Sequence, residues 1–366
     1  MRVAVYEHLT ATGNVYSHGW VEGEAMLKAS VEDLKRAGHE VHVVTSLPPK
    51  RPVDVVIVIA PSTGRLIYSL AKVCEDEGLT VIDSPSSAIF LASDKALLYR
   101  NLELHGIKAP RTTISSFDEA LDDLIEALSE LDKVVVKPAD GDGCMGISVV
   151  SSVEEASMAI RKAKQSTRLP YLVIQEFIEG LNLSVNVLAQ GDYLIPLSVN
   201  LQRVLLRGPS DYSTYIGGVV PYFEHTKAAI ESALKTIRSL GPVKGFFGVD
   251  LVVRGGEPYA IEVNPRLTAS YLALREVSKV NIVDMAVKAA LGVEGLEPPV
   301  IEGVAIVEKA IAERDLVVKD DLLKPPQGAK LLSSIAGRRS VAKRGDAYAL
   351  YVMRVEEREL HALAIT

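Results

Sequence analysis

The tract Ala139-Asp140-Gly141-Asp142-Gly143-Cys144-Met145-Gly146 constrains this chain more than any other. It reads as GxGxxG, the spelling of a dinucleotide fingerprint. That reading requires a helix directly after the glycines, because the helix N-terminus holds the pyrophosphate. Here Ile147-Ser148-Val149-Val150 follows, and Lys133-Val134-Val135-Val136-Lys137-Pro138 precedes. Both flanks are strand-like, so the tract is the tip of a hairpin. A Walker loop is excluded because no Gly-Lys-Ser/Thr closes the tract. A protein-kinase loop has the right shape, but the chain lacks the HRD and DFG segments that a kinase needs. What remains is a glycine-rich hairpin whose backbone N–H groups can approach phosphate oxygens without Cβ interference. Lys137 stands at its base, placed to neutralise a phosphate.

A second hairpin carries acid. In Gly248-Val249-Asp250-Leu251-Val252-Val253 a carboxylate sits among apolar residues, and Tyr259-Ala260-Ile261-Glu262-Val263-Asn264-Pro265-Arg266 follows after Arg254-Gly255-Gly256-Glu257. Strand alternation puts Glu262 and Asn264 on one face, with Ile261 and Val263 on the other. A three-residue loop at 255–257 is expected to set Asp250 opposite Glu262. Two facing carboxylates repel unless a cation lies between them. With the Asn264 amide they form an oxygen donor set suited to Mg²⁺ on nucleotide phosphates. A third element, Val173-Ile174-Gln175-Glu176-Phe177-Ile178-Glu179-Gly180, is an apolar strand running into a polar link, and by itself reads as a core strand.

Around these elements the chain alternates strand and helix patterns. Strands are expected at Arg2–Tyr6, Val41–Thr45, Val53–Ile59 and Thr80–Asp83. Helices are expected at Glu22–Ala37, ending at Gly38, and at 63–77. This rhythm implies an open, mainly parallel sheet. Helices at Asp94–His105, 118–131, 153–165 and 224–240 and strands at Leu172–Phe177, Leu183–Ala189, Phe247–Val253 and Pro258–Val263 follow. The tail from about 300 is strand-rich, with Pro325-Pro326 as punctuation. The net charge of -7 argues against a dedicated nucleic-acid binder, whose domain is normally basic. Two cysteines, Cys74 and Cys144, exclude a disulfide framework. The start of the chain reads as a strand rather than a signal peptide, and the apolar run Val53–Ala60 is too short for a bilayer. The expectation is a cytoplasmic protein without membrane or nucleic-acid partners.

In this order the three elements resemble the ATP-grasp superfamily, and Asp94-Lys95, opening a helix before the lysine strand, is also typical of it. The resemblance implies an α/β ATP-grasp fold: an N-terminal Rossmann-like domain at 1–93, a small lobe with the lid at 94–180, a large lobe with the metal hairpin at 181–300, and a β-rich tail at 301–366. It implies that Lys95 and Lys137 contact the phosphates of ATP and that Gly141, Gly143 and Gly146 form the lid. Gln175, Glu176, Phe177 and Ile178 would frame the adenine. Asp250, Glu262 and Asn264 would hold Mg²⁺, or Mn²⁺ in its place. Arg266 would meet the γ-phosphate or an acyl-phosphate, and with Lys137 forms the catalytic pair. Many relatives carry a ribose-binding Glu after the hinge. Here Asn182 takes that place, with Glu179 nearby.

Further segments, Glu22-Gly23-Glu24-Ala25-Met26-Leu27, Ile59-Ala60-Pro61, Ala92-Ser93-Asp94-Lys95, Gln175-Glu176-Phe177-Ile178-Glu179-Gly180 and Gly217-Gly218-Val219-Val220-Pro221, resemble the archaeal tyramine–glutamate ligase group of methanofuran biosynthesis. The resemblance implies an ADP-forming ligase joining a small-molecule carboxylate to an amine, with glutamate and tyramine as the family's pair and a homodimer compatible with it. The alternatives are an ATP-grasp ligase for other amino-acid or small-acid substrates, a kinase-like or carboxylase-like use of the same chemistry, and a non-catalytic nucleotide-binding regulator. Several residues stand outside these motifs. Glu7, His8 and His18 lie near the end of the first strand, where α/β sheets bind ligands. Arg203 has the fork geometry for a carboxylate, and Tyr212, Tyr215 and Tyr222 offer aromatic faces. Cys144 has no histidine close by in sequence and is not read as a nucleophile. Arg338, Arg339, Lys343 and Arg344 read as surface charge.

Overall fold

The computed structural model describes residues 1–83 and 85–355; the part of the tail at 356–366 lies outside the described residues. The N-terminal strand Arg2–Glu7 pairs in parallel with Glu40–Val43 on one side and Val55–Ile59 on the other. Its apolar residues Val3, Ala4 and Val5 are fully buried, as expected for a strand covered on both faces. The helix Trp20–Arg36 lies against this sheet, and Gly38 follows it with φ of 84°. The expected strand at Thr80–Asp83 is reduced to a single parallel bridge between Val56 and Val81. The chain leaves the sheet there because Asp83 turns to the large lobe, its carboxylate accepting from the Phe246 N–H at 2.8 Å. The helix expected over 63–77 begins as a 3₁₀ turn at Thr63–Arg65 and becomes α-helical only at Leu66.

Asp94 caps the helix Lys95–Leu104, accepting from the N–H groups of Ala96 and Leu97. The small lobe follows, an antiparallel sheet in the order Thr112–Ser116, Tyr171–Glu176, Val134–Pro138, Ser148–Val150. Helices Ala120–Glu130 and Val153–Gln165 cover one face, and Ala156, Ala159 and Ala163 bury the second helix at four- and three-residue spacing.

The large lobe is an eight-stranded, wholly antiparallel sheet. From one edge the strands run Glu257–Asn264, Lys244–Arg254, Leu181–Gln190, Tyr193–Leu205, Thr214–Val220, Val304–Ile311, Ala347–Val355 and Ala329–Ser334. The tail strands thus continue the same sheet. Their apolar residues share one core with Trp20, Val21 and Met26 of the N-terminal helix and with the helices Tyr271–Val277 and Ile282–Ala290.

The acidic hairpin differs in detail from its sequence reading. The connection is a two-residue turn, Gly255-Gly256, with φ of 59° and 85°, not a three-residue loop. Two successive positive φ values are what a tight hairpin turn requires, and glycine supplies them without strain. Asp250 still pairs with Glu262, because a bulge between Asp250 and Leu251 inserts one extra residue on the partner strand. That extra residue is Ile261, so Ile261 joins Glu262 in facing the cleft while Ala260 and Val263 enter the core beneath.

Candidate active site

A cleft of about 460 Å³ opens between the small-lobe sheet and the large sheet. Lys95, Lys137, Gly141 and Gly143 line it from above, residues 175–179 from the back, and Asn182, Asp250, Glu262, Asn264 and Arg266 from below. Gly146 does not line it. A Cβ there would lie 2.5 Å from Ser166 Cβ, so this glycine is needed for packing of the lid's base.

The floor is polar by alternation: Asn182, Ser184 and Gln202 line it, and Asn186, Ser198 and Asn200 are buried beside them. Ser184 and Asn186 on one strand pair with Asn200 and Ser198 on the next, and Ser184 also pairs with Asp250. One transverse row therefore reads Glu262, Asp250, Ser184, Asn200 across four strands. Asn200 Nδ2 donates to Ser184 Oγ at 3.1 Å, while its buried Oδ1 has no partner. Gln202 Nε2 donates to Asp250 Oδ1 at 2.9 Å, and Asn264 Nδ2 donates to Asp250 Oδ2 at 3.3 Å. Ser184, Asn186 and Ser198 belong to no motif expected from the sequence. The signal was present, as Asn182-x-Ser184-x-Asn186 and Ser198-x-Asn200-x-Gln202 each put polar side chains at period two in an apolar strand.

Burial and the neighbouring Glu262 push the Asp250 carboxyl up to about 7. Burial, reinforced by the Lys95 ammonium, brings Lys137 down to about 8. For Lys95 burial works against the charge, yet the Glu262, Asp142 and Asp140 carboxylates raise its pKa. Its Nζ donates to Gly141 O at 2.6 Å and to Glu262 Oε1 at 3.2 Å, bridging lid and acidic hairpin. Among the described residues no three His, Cys, Asp or Glu side chains are grouped as a metal cluster. The hairpin instead offers two carboxylates and an amide. The mutual repulsion that raises Asp250 is what a divalent cation relieves, so this donor set fits Mg²⁺.

The lid is tied at two levels. Asp140 accepts from the Gly64 N–H at 2.7 Å and from the Thr167 hydroxyl. Asp142 accepts from the Ser62 N–H at 2.6 Å and from Arg266 Nη2 at 2.7 Å. Burial pushes the Cys144 thiol up to about 12, which disfavours the thiolate that a nucleophile needs.

At the hinge, Phe177 N–H is committed to Lys133 O, Gln175 donates to Thr112, and the Glu176 carboxylate faces Arg254 at 3.4 Å. Of the three tyrosines singled out, Tyr215 lines the cleft while Tyr212 and Tyr222 do not. Arg203 pairs with Glu308 at 3.0 Å outside the cleft lining. Glu22, from the N-terminal helix, does line it, and is held by the buried Lys309 of the tail at 2.9 Å. Glu7 is an N-cap, accepting from Leu9 and Thr10, and His18 faces Asp346 at 3.4 Å. The basic residues at 338–344 all have carboxylate partners: Glu24, Asp346, Asp315 and Asp211.

A glycine hairpin closing over a lysine-lined cleft, with a paired-carboxylate hairpin opposite, defines the ATP-grasp architecture. The chain matches the ATP-grasp domain over residues 92–270. It is 27% identical over 243 residues to the tyramine–L-glutamate ligase of Methanocaldococcus jannaschii, a match covering 66% of this chain and 65% of that one. It is 31% identical to the D-alanine–D-alanine ligase of Carboxydothermus hydrogenoformans over 53% of this chain and 67% of that one. Biotin carboxylase from Campylobacter jejuni, solved as a β-γ-ATP complex, superposes with a TM-score of 0.72 at 16% identity, covering 99% of this chain and 89% of that one. The chain belongs to the ATP-grasp superfamily. Among the described residues no helix is long and apolar enough to cross a membrane.

Proposed function

We propose that the protein is an ATP-dependent, ADP-forming ligase that joins a carboxylate to an amine through an acyl-phosphate. One observation carries this reading: Lys95, Lys137, the Asp250–Glu262 pair and Arg266 converge on one cleft. Positive groups, with a carboxylate pair able to hold a divalent cation, are what phosphoryl transfer to a carboxylate needs, since both partners are anions. Lys137 and Lys95 neutralise the nucleotide phosphates, and the hinge at 175–178 receives the adenine. Glu179 or Asn182, both at the cleft wall, takes the ribose. Asp250, Glu262 and Asn264 are the residues that would hold Mg²⁺, or Mn²⁺ in its place. Bound there, the ion supplies charge neutralisation to the transferring phosphoryl group. Arg266 steadies the acyl-phosphate, and the lid at 139–146 keeps water from it. The amine then attacks the acyl carbon and phosphate leaves, with no covalent enzyme intermediate.

Glutamate and tyramine are the proposed pair. The similarity to tyramine–glutamate ligase supports them. So does Tyr215, the aromatic face left at the cleft among those expected from sequence. The test is ADP release with glutamate and a panel of amines. Turnover should require acid and amine together. If the site hydrogen-bonds the phenol, phenethylamine should be rejected strongly; an apolar slot accepts both amines within about ten- to a few hundredfold. Clear turnover on another acid–amine pair, with none on tyramine, overturns the substrates and leaves the ligase. Nucleotide binding without turnover on any pair favours the non-catalytic regulator.

A further inference from the structure

The Asp142 carboxylate is held as a ligand is held. One oxygen takes a guanidinium N–H from Arg266 at 2.7 Å, the other a backbone N–H from Ser62 at 2.6 Å. Arg266 lines the cleft directly after the acidic hairpin. A guanidinium and a backbone N–H converging at these distances form a seat for a carboxylate or phosphoryl oxygen pair. We propose that Asp142 is an internal stand-in: it fills the anion seat of Arg266 and Ser62, and yields it to the nucleotide's terminal phosphoryl group when substrate binds. The inference rests on the ligase reading.

Three features make Asp142 releasable while the lid stays attached. It lies between Gly141 and Gly143, the latter exposed with φ of 62°, so the tip can turn without side-chain obstruction. Asp140, two residues earlier, is anchored independently to Gly64 and Thr167. The base of the lid, including Ala139 and Asp140, is fully buried, whereas Gly143 and Met145 at the tip are exposed. An internal competitor lowers apparent affinity by the fraction of molecules in which the seat is free.

The test is calorimetric binding of ADP and of the β,γ-imido analogue of ATP, each with Mg²⁺, to the full chain and to Asp142→Asn. The neutral amide still fits beside Ser62 but competes poorly for Arg266. The imido analogue should bind Asp142→Asn at least about fivefold more tightly than wild type, because a charged hydrogen-bonding competitor is gone. ADP, which does not reach the seat, should change by less than about twofold. Asp142→Glu, which restores the charge, should return the analogue's affinity toward wild type. Equal or weaker analogue binding by Asp142→Asn overturns the inference alone. Failure of wild type to bind either nucleotide overturns the ligase reading with it. Should the variant not fold, hydrogen exchange of the 62–65 amides in wild type decides: a change with the analogue but not with ADP supports the seat, and identical behaviour with both refutes it.

Discussion

Asp250→Asn should stabilise the metal-free protein while abolishing turnover. The Asp250 carboxyl is raised from 3.8 to about 7 by burial first and by Glu262 second. A carboxyl whose folded pKa lies above its unfolded value binds more protons folded than unfolded between the two. Its contribution to stability is therefore complete below about pH 4 and is lost as pH rises through about 7. A shift of about three units at about 1.4 kcal/mol each puts the cost of the ionised group near 4 kcal/mol at pH 8. Against this, asparagine can accept from only one of Gln202 and Asn264, which both donate to Asp250 now, and the lost bond costs about 1 kcal/mol. The net gain is about 1–3 kcal/mol, or about 1–4 °C in Tm for a chain of this size. The assay is thermal unfolding in EDTA at pH 6 and pH 8, then with Mg²⁺ and nucleotide. The variant should melt higher than wild type at pH 8, lose about 1 kcal/mol of that margin by pH 6, where the unfolded carboxyl is already ionised and the folded one mostly protonated, and gain less from Mg²⁺. A variant less stable than wild type at pH 8 in EDTA would refute the reasoning, because the carboxylate pair would then not be in conflict.

Glu262→Gln should keep the fold yet lose turnover by orders of magnitude, since it removes charge from the proposed metal site and the anionic partner of Lys95; near-normal ADP release at saturating Mg²⁺ would sink the assignment. Lys137, lowered to about 8, loses its charge as pH rises, so nucleotide affinity should fall between about pH 7 and 9. Lys137→Met should bind weakly and flatten that profile, and an unchanged slope in the variant would assign the titration elsewhere. Gly245→Ala should be severely destabilising, by about 3 kcal/mol or more in urea unfolding, because its φ is 90° and a Cβ would sit 1.7 Å from Ile82 O. Wild-type-like unfolding would show that the contact between the N-terminal domain and the large lobe is soft.

The sequence by itself determined the local chemistry. Glycines flanked by β-branched runs, which favour strand over helix, pointed to a hairpin, and alternation set Glu262 and Asn264 on one face. The parallel N-terminal sheet followed from βα rhythm, and the helix opened by Asp94-Lys95 stands where its pattern placed it. Tertiary structure decided what no local window contains. The Asp250–Glu262 register came from a bulge acting with a two-residue turn, and a bulge reflects strand packing rather than turn composition. Glu22 stands at the cleft paired with the buried Lys309, almost three hundred residues later. The tail strands joined the large sheet because Val304–Ile311 found an open edge at Thr214–Val220. The sequence singled out Arg203, Tyr212 and Tyr222 for their chemistry, and the fold left them outside the cleft. Residue type states what a side chain can do, but the pairing of distant strands sets where it stands.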